Sequence, residues 1–281
     1  MIPAGFAYAR PTSQDEALAV LVEHGDDAKI LAGGMSLLPL MKLRLVNPAV
    51  LVDVGGLGDL AHVTDMGSEI AIGALTRHRD LQTNGLLARE CPVLPGVAAQ
   101  VGDPQVRHRG TIGGSVAHGD PASDLAAVLV ALDATFVARG PGGSREIGAG
   151  EFFVGFLETA LGPDELLVEI RVPKTGSVPF SYQKLNRRAI DWAIVGAVAL
   201  VGPKGDDGDS RRVALVNMGA TPIRARGVEA GVAAGASILD AAERAGDGTD
   251  PPSDANASAQ YRMHLARVLV RRALTEVQAL R

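Results

Sequence analysis

The chain carries one short pattern twice, and that duplication constrains its fold more than any other feature. Ala32-Gly33-Gly34-Met35-Ser36 and Thr111-Ile112-Gly113-Gly114-Ser115 share one construction: a hydrophobic approach, two adjacent glycines, then a serine before the chain becomes apolar again. Adjacent glycines permit positive φ, and consecutive N–H groups gathered on one side of such a turn make a concavity suited to an anion. Neither loop contains a lysine, so an anion there would be held by amide dipoles and a helix N-terminus rather than by a formal charge. Either loop alone reads equally well as an ordinary tight turn. Together, at the two ends of the first half of the chain, they read as two sides of one anion site.

The 281 residues correspond to about two domains and are ample to bury a core. A formal net charge of −5 argues against a nucleic-acid partner, which needs a concentrated basic footprint. The apolar run 189–201 is too short to span a bilayer and contains Asp191, so no membrane insertion is expected. Met1-Ile2-Pro3 does not begin a signal peptide, and the cytoplasm is the expected location. The single cysteine, Cys91, excludes an internal disulfide and any cysteine-ligated iron–sulfur or zinc site supplied by this chain alone; in its apolar stretch it reads as a buried small hydrophobe.

Ser13 and Glu16 form a capping box for a helix with Ala17, Leu18, Leu21 and Val22 on one face, ended by Gly25. A strand at 29–32 feeds the first glycine loop. Ser36 then caps a short helix with Pro39 in its first turn, Asn47-Pro48 stops it, and 49–54 is a second strand. Residues 29–54 are thus a β-turn-helix-β unit with parallel strands. Gly56-Leu57-Gly58-Asp59-Leu60-Ala61 matches a dinucleotide fingerprint, but Gly67 follows too soon for the helix such a site needs, so 55–58 is a turn leading to a strand at 69–75. Thr76 caps a helix toward Leu81, a helical stretch from Leu86 is broken by Pro92 and Pro95, and 103–110 is polar and basic around Arg107-His108-Arg109.

Beyond the second loop, Asp120-Pro121 supplies an N-cap and first residue for the apolar helix 125–132, placing Asp124 one turn into it. Asp124 either complements that helix dipole or binds a sugar hydroxyl or an amine, since a carboxylate beside a phosphate is unfavourable. Strands are expected at 133–138 and 166–172, a turn at 140–144, and a domain boundary at 174–179. The second half reads as strand 180–185, basic Arg187-Arg188, Asp191-Trp192, an apolar segment 193–201 and an acidic hairpin turn 202–210 in which Asp206-Asp207-Gly208-Asp209 is solvated. A strand at 212–217, a small-residue helix at 228–245, a linker and an arginine-rich amphipathic helix at 261–280 complete an α+β half with antiparallel strands.

No Walker A loop, nucleophile elbow or H-E-x-x-H motif is present, and the histidines lack metal-ligand spacing. Anion-cradling loops without an evident acid, base or nucleophile point to reactivity carried by a bound cofactor, a dinucleotide. Here the residues resemble a known family. Ala32-Gly33-Gly34-Met35-Ser36 continuing through Leu37-Leu38-Pro39-Leu40-Met41-Lys42-Leu43-Arg44, and Thr111-Ile112-Gly113-Gly114-Ser115 continuing through Val116-Ala117-His118-Gly119-Asp120-Pro121, look like the two FAD pyrophosphate loops of the flavoprotein subunit of molybdenum hydroxylases. This is the family of the carbon monoxide dehydrogenase medium subunit and the xanthine dehydrogenase FAD domain. The resemblance extends through Asp164-Glu165-Leu166-Leu167, Lys184 and the C-terminal helix.

It implies an α+β fold: a vanillyl-alcohol-oxidase (PCMH)-type FAD-binding domain at 1–175, built of subdomains at about 1–55 and 56–175, then a smaller C-terminal α+β domain at 176–281. By motif matching, Ala32, Gly33, Gly34, Met35, Ser36 and Leu37 with Thr111, Ile112, Gly113, Gly114 and Ser115 would hold the pyrophosphate; Asp124 would bind on the adenosine side, Val101 and Leu167 would pack on FAD, and Lys184 would be its nearby positive charge. Trp192 falls where relatives set a residue against the isoalloxazine, and reads either as that platform or as a core tryptophan. Met35 departs from the polar residue relatives commonly carry, leaving only its backbone N–H as a donor there. The implied function is an FAD-carrying electron-transfer subunit, an oxidoreductase component in a heterotrimer, doubled, with a molybdopterin-binding large subunit and a 2Fe–2S small subunit, delivering electrons to an external acceptor. The C-terminal helix and Arg187-Arg188 are candidate contact surfaces, or solvated arginine faces. The alternative is a free-standing FAD-dependent oxidoreductase.

Overall fold

The computed structural model describes residues 2–201 and 211–280, so the acidic turn expected at 202–210 lies outside the described residues. The chain opens with β1 (Ala7–Ala9), α1 (Gln14–His24), β2 (Ala28–Leu31), α2 (Leu37–Lys42) and β3 (Val50–Asp53), which give a parallel sheet in the order β1-β3-β2. The expected β-turn-helix-β unit is present, with Ala28 opposite Val50 in parallel register. Ser13 Oγ accepts the Glu16 N–H as the capping box requires, while the Glu16 carboxylate turns back to the Thr12 N–H. Ala17, Leu18 and Leu21 bury one face of α1 against Val50 and Val52.

A second layer follows: β4 (Val63–Asp65), β5 (Glu69–Gly73), the short helices α3 (His78–Thr83), α4 (Gly85–Glu90), α5 (Val93–Ala98), α6 (Pro104–Arg109) and α7 (Ile112–Ala117), then α8 (Asp124–Ala131). It continues with β6 (Thr135–Gly140), β7 (Gly143–Gly148), α9 (Ala149–Phe152), the β8 (Phe153–Gly155) and β9 (Glu158–Thr159) hairpin, and β10 (Leu166–Pro173). Its main sheet is antiparallel in the order β4-β5-β10-β6-β7. The dinucleotide-like glycines run into a single 3₁₀ turn at Gly58–Leu60, so no Rossmann helix follows them. Several local expectations change: the N-cap of α3 is Arg77 rather than Thr76, and α5 runs through Pro95 instead of being broken there. The polar stretch 103–110 is helical, because Asp103 Oδ1 accepts the Val106 N–H and Pro104 opens the helix. Asp120 does not cap α8: its carboxylate takes the Ala122 N–H, Ser123 becomes the N-cap, and Asp124 is the first helical residue.

The second half forms an antiparallel sheet in the order β11-β12-β13-β14 from β11 (Phe180–Leu185), β12 (Val195–Val201), β13 (Arg211–Val216) and β14 (Ile223–Arg224). It is backed by α10 (Arg226–Ala233), α11 (Ile238–Glu243) and the long α12 (Ala259–Ala279). The helix expected at 228–245 is two helices, because Gly235 takes φ +83 and ends the first. Arg262 of α12 is fully buried, donating to the Ile194 carbonyl and to Asp254 Oδ2, so it belongs to the core and not to a contact face; Arg267, Arg271 and Arg272 are exposed. Helix α8 is buried along its whole length and joins the halves, and Asp133 just beyond its C-terminus accepts from Arg212 at 3.0 Å and Arg224 at 2.7 Å of the second sheet. Among the described residues no helix is long and apolar enough to cross a membrane.

Candidate functional site

Strand β2 delivers the first glycine loop and α6 delivers the second, and the two meet along one cleft of about 610 Å³, within the range typical of small-molecule and cofactor sites. What brings them together is the absence of side chains. A Cβ on Gly33 would lie 2.2 Å from the Arg109 carbonyl oxygen and 2.8 Å from Gly110 Cα, and one on Gly113 would lie 2.5 Å from Ala74 Cβ. Gly114 faces Ala32, where a Cβ would sit 3.6 Å from the alanine methyl.

The loops differ in what they offer. In the first, Gly34 takes φ +73, and the N–H groups of Gly33, Gly34, Met35 and Ser36 donate to no acceptor among the described residues. In the second, the amides are already spent: Ile112 N–H on Thr76 O at 3.0 Å, Gly113 N–H on Ala74 O at 2.9 Å, Gly114 N–H on Thr111 Oγ1 at 3.1 Å and Ser115 N–H on Thr111 O at 3.0 Å. Two mirrored nests are therefore replaced by one nest and one capped helix start. Gly114 is helical, and the positive φ that adjacent glycines permit is taken by Gly34 instead. The second loop presents hydroxyls, those of Thr111 and of Ser115, the latter 3.0 Å from Ser123 Oγ.

Ala32, Gly33, Gly34, Met35, Ser36, Leu37, Val101, Thr111, Gly113, Gly114, Ser115, Asp124, Leu167, Lys184 and Trp192 all line the cleft. Ile112 does not; it is fully buried in the core behind the loop. Trp192 is 54% exposed, which removes the core-tryptophan reading and puts the indole at the cleft wall beside solvent.

Asp124 and Lys184 are found paired with each other at 2.8 Å, both side chains only 5% exposed. Lys184 also donates to Gln100 O at 3.3 Å, and the Tyr182 hydroxyl donates to the other Asp124 oxygen. Burial pushes the Asp124 carboxyl upward, opposed by Lys184 and Tyr182, and burial followed by the charge of Asp124 drives the Tyr182 phenol well up. Since Asp124 opens α8 while Tyr182 and Lys184 lie on β11, this cluster ties the two halves together at the cleft. Burial, then the Arg107 charge, lowers His78 to about 4, leaving a neutral imidazole in the cleft wall. Burial pushes the Cys91 thiol up to about 12, as befits a buried hydrophobe.

The sequence reading missed Tyr182 and His78. Tyr182 had a signal, because side chains two apart on a strand share a face and Lys184 was already singled out. His78 had none, since its neighbours in the cleft come from elsewhere in the chain.

Two family descriptions match the chain: "FAD binding domain in molybdopterin dehydrogenase" over residues 4–175 and "CO dehydrogenase flavoprotein C-terminal domain" over residues 180–277. The carbon monoxide dehydrogenase medium chain of Hydrogenophaga pseudoflava is 39% identical over 284 residues, covering 99% of each chain. A solved carbon monoxide dehydrogenase from the same organism superposes with a TM-score of 0.94 at 39% identity, covering 100% of this chain and 99% of that one. Quinoline 2-oxidoreductase from Pseudomonas putida superposes with a TM-score of 0.91 at 31% identity, covering 100% and 99%.

Proposed function

The chain belongs to the flavoprotein-subunit family of molybdenum hydroxylases, and on that premise we propose how its cleft holds FAD and where its electrons pass. It is the FAD-carrying electron-transfer subunit of a molybdenum hydroxylase complex, an oxidoreductase component that works with a molybdopterin-binding large subunit and an iron–sulfur small subunit. The free-standing oxidoreductase is not favoured, because the relatives are subunits of such complexes.

The observation that carries the site reading is the set of unpaired amides from Gly33 to Ser36, opposite the second loop in one cleft. Such a row of donors beside a positive-φ glycine fits a diphosphate without any lysine. Thr111 and Ser115 add hydroxyl donors from the facing side. The remaining lone pairs of Asp124 accept from a sugar hydroxyl, its position set by Tyr182 and its charge balanced by Lys184. Val101 and Leu167 supply apolar wall, and Trp192 offers an indole face to the isoalloxazine. When bound, the flavin supplies the redox chemistry; the chain holds it, excludes water from one side and leaves an edge open near Trp192 and Ile190 for an external acceptor. We place the domain boundary between 175 and 176 and the protein in the cytoplasm.

Co-expression with the molybdopterin and iron–sulfur subunits is expected to yield a yellow complex whose flavin bleaches on adding the substrate of the large subunit. The isolated chain should bind FAD without bleaching. Rapid turnover of a small substrate by the chain alone refutes the subunit reading.

A further inference from the structure

The cleft wall contains a buried imidazole that no contact within the chain explains. His78 opens α3 and lines the cleft at 3% exposure. Its backbone is engaged, the N–H donating to Gly110 O at 2.9 Å. Its ring is not: Nδ1 is sealed without a hydrogen-bond partner, and Nε2 makes no hydrogen bond among the described residues. The ring fits only because residue 110 is glycine, where a Cβ would come within 2.8 Å of the imidazole Cδ2 and 3.0 Å of Nε2. Holding an unpaired polar ring in this position costs free energy, and since Nδ1 is sealed, a ligand entering the cleft completes the ring's bonding through Nε2.

The chemistry of the surroundings narrows what that partner is. Burial and Arg107 keep the imidazole uncharged, so it offers one N–H donor and one lone pair. Arg107 is itself committed to the carbonyls of Val101 and Gly102, both at 3.0 Å. Leu75, Val101 and Val106 line the same cleft, and Val101 is the side chain assigned above to pack on the cofactor.

We infer that His78 is a further cofactor-binding residue, its imidazole hydrogen-bonding a polar atom of the flavin half of FAD where Leu75, Val101 and Val106 give the cleft an apolar wall. The inference rests on the reading of the cleft as an FAD site. Apo-protein is titrated with FAD by fluorescence quenching, and the visible absorption band of the bound flavin is recorded, for the wild type, His78→Leu and His78→Gln. The leucine variant is expected to bind about tenfold more weakly with a displaced flavin band, and the glutamine variant, which keeps a donor and an acceptor, to recover most of both. Unchanged affinity in His78→Leu overturns the inference. So does equal weakening by Gln and Leu, which marks a packing role, or weakened binding with an unmoved flavin band, which puts the contact on another part of the cofactor. Should the leucine variant fail to fold, His78→Ala takes its place: weakened FAD binding with a displaced flavin band supports the contact, and unchanged affinity or an unmoved band overturns it. If wild-type apo-protein takes up no FAD, the site reading fails rather than the role of His78.

Discussion

Gly33→Ala tests the central geometric claim, that the nest exists only because the two loops touch through bare backbone. The new Cβ would meet the Arg109 carbonyl oxygen at 2.2 Å and its carbon at 2.8 Å. Carbon contacts settle near 3.5–4.0 Å, so the loops must part by roughly 1 Å. Both partners are main chain, and no rotamer change relieves the overlap. Hydrogen bonds at about 2.9 Å stretched by that amount pass the ~3.2 Å limit of useful geometry. A bond to a charged group is worth about 1.5–3 kcal/mol, so losing two of those offered between Gly33 and Ser36 raises the FAD dissociation constant by roughly 10²- to 10⁴-fold. Overpacking also lowers folding stability by about 1–3 kcal/mol. Gly114→Ala is the internal control: its Cβ meets a side-chain atom, Thr111 Oγ1, at 2.8 Å rather than main chain, within a helix and at no positive φ. That substitution weakens one N-cap, at about 1 kcal/mol, and should change affinity less than about tenfold. Both variants are stripped of flavin, titrated with FAD by fluorescence quenching and melted in parallel. If Gly33→Ala binds within threefold of the wild type, or no worse than Gly114→Ala, the contact between loops does not shape the nest.

Two further outcomes follow from buried charge. Lys184→Met leaves Asp124 ionised or protonated without its partner in a setting where both side chains are 5% exposed, and should cost about 3–5 kcal/mol in urea unfolding as well as weakening FAD. Adding Asp124→Leu should restore stability but not FAD affinity; a single variant that melts like the wild type removes the pair from the joint between the halves. His78 governs an acid response: its folded value near 4 lies below its ordinary 6.5, so the unfolded chain binds the proton first as pH falls. Its stabilising contribution is therefore complete above pH 6.5 and lost between 6.5 and 4, in total about 3 kcal/mol. Unfolding free energies of FAD-free wild type and His78→Gln should keep a constant difference above pH 6.5 and change by that amount below it. Parallel curves down to pH 4 would show that the imidazole titrates normally.

Much of the local framework was legible because its causes are local. Ser13 caps α1 from three residues away, the β2-α2-β3 unit follows from loop length and Asn47-Pro48, and α12 announces its face by the spacing of Leu265, Leu269 and Val270. The repeated Gly-Gly pattern likewise marked both walls of the cleft, and its resemblance to a known family supplied FAD. The functions of individual groups within the cleft were not legible. The second loop reads like the first, yet its amides are consumed by Thr111 and by the carbonyls of Ala74 and Thr76, which reach it only because the segment after β5 lies against the start of α7. Asp124 and Lys184 each looked available to a ligand, and they neutralise one another across 60 residues of sequence. Arg262 follows the pattern of an exposed arginine and is buried by a carbonyl and a carboxylate from other segments. Spacing along the chain encodes which backbone groups need partners and where glycine is required. Which donors remain free for a cofactor depends on groups remote in sequence, and only the tertiary structure brings those together.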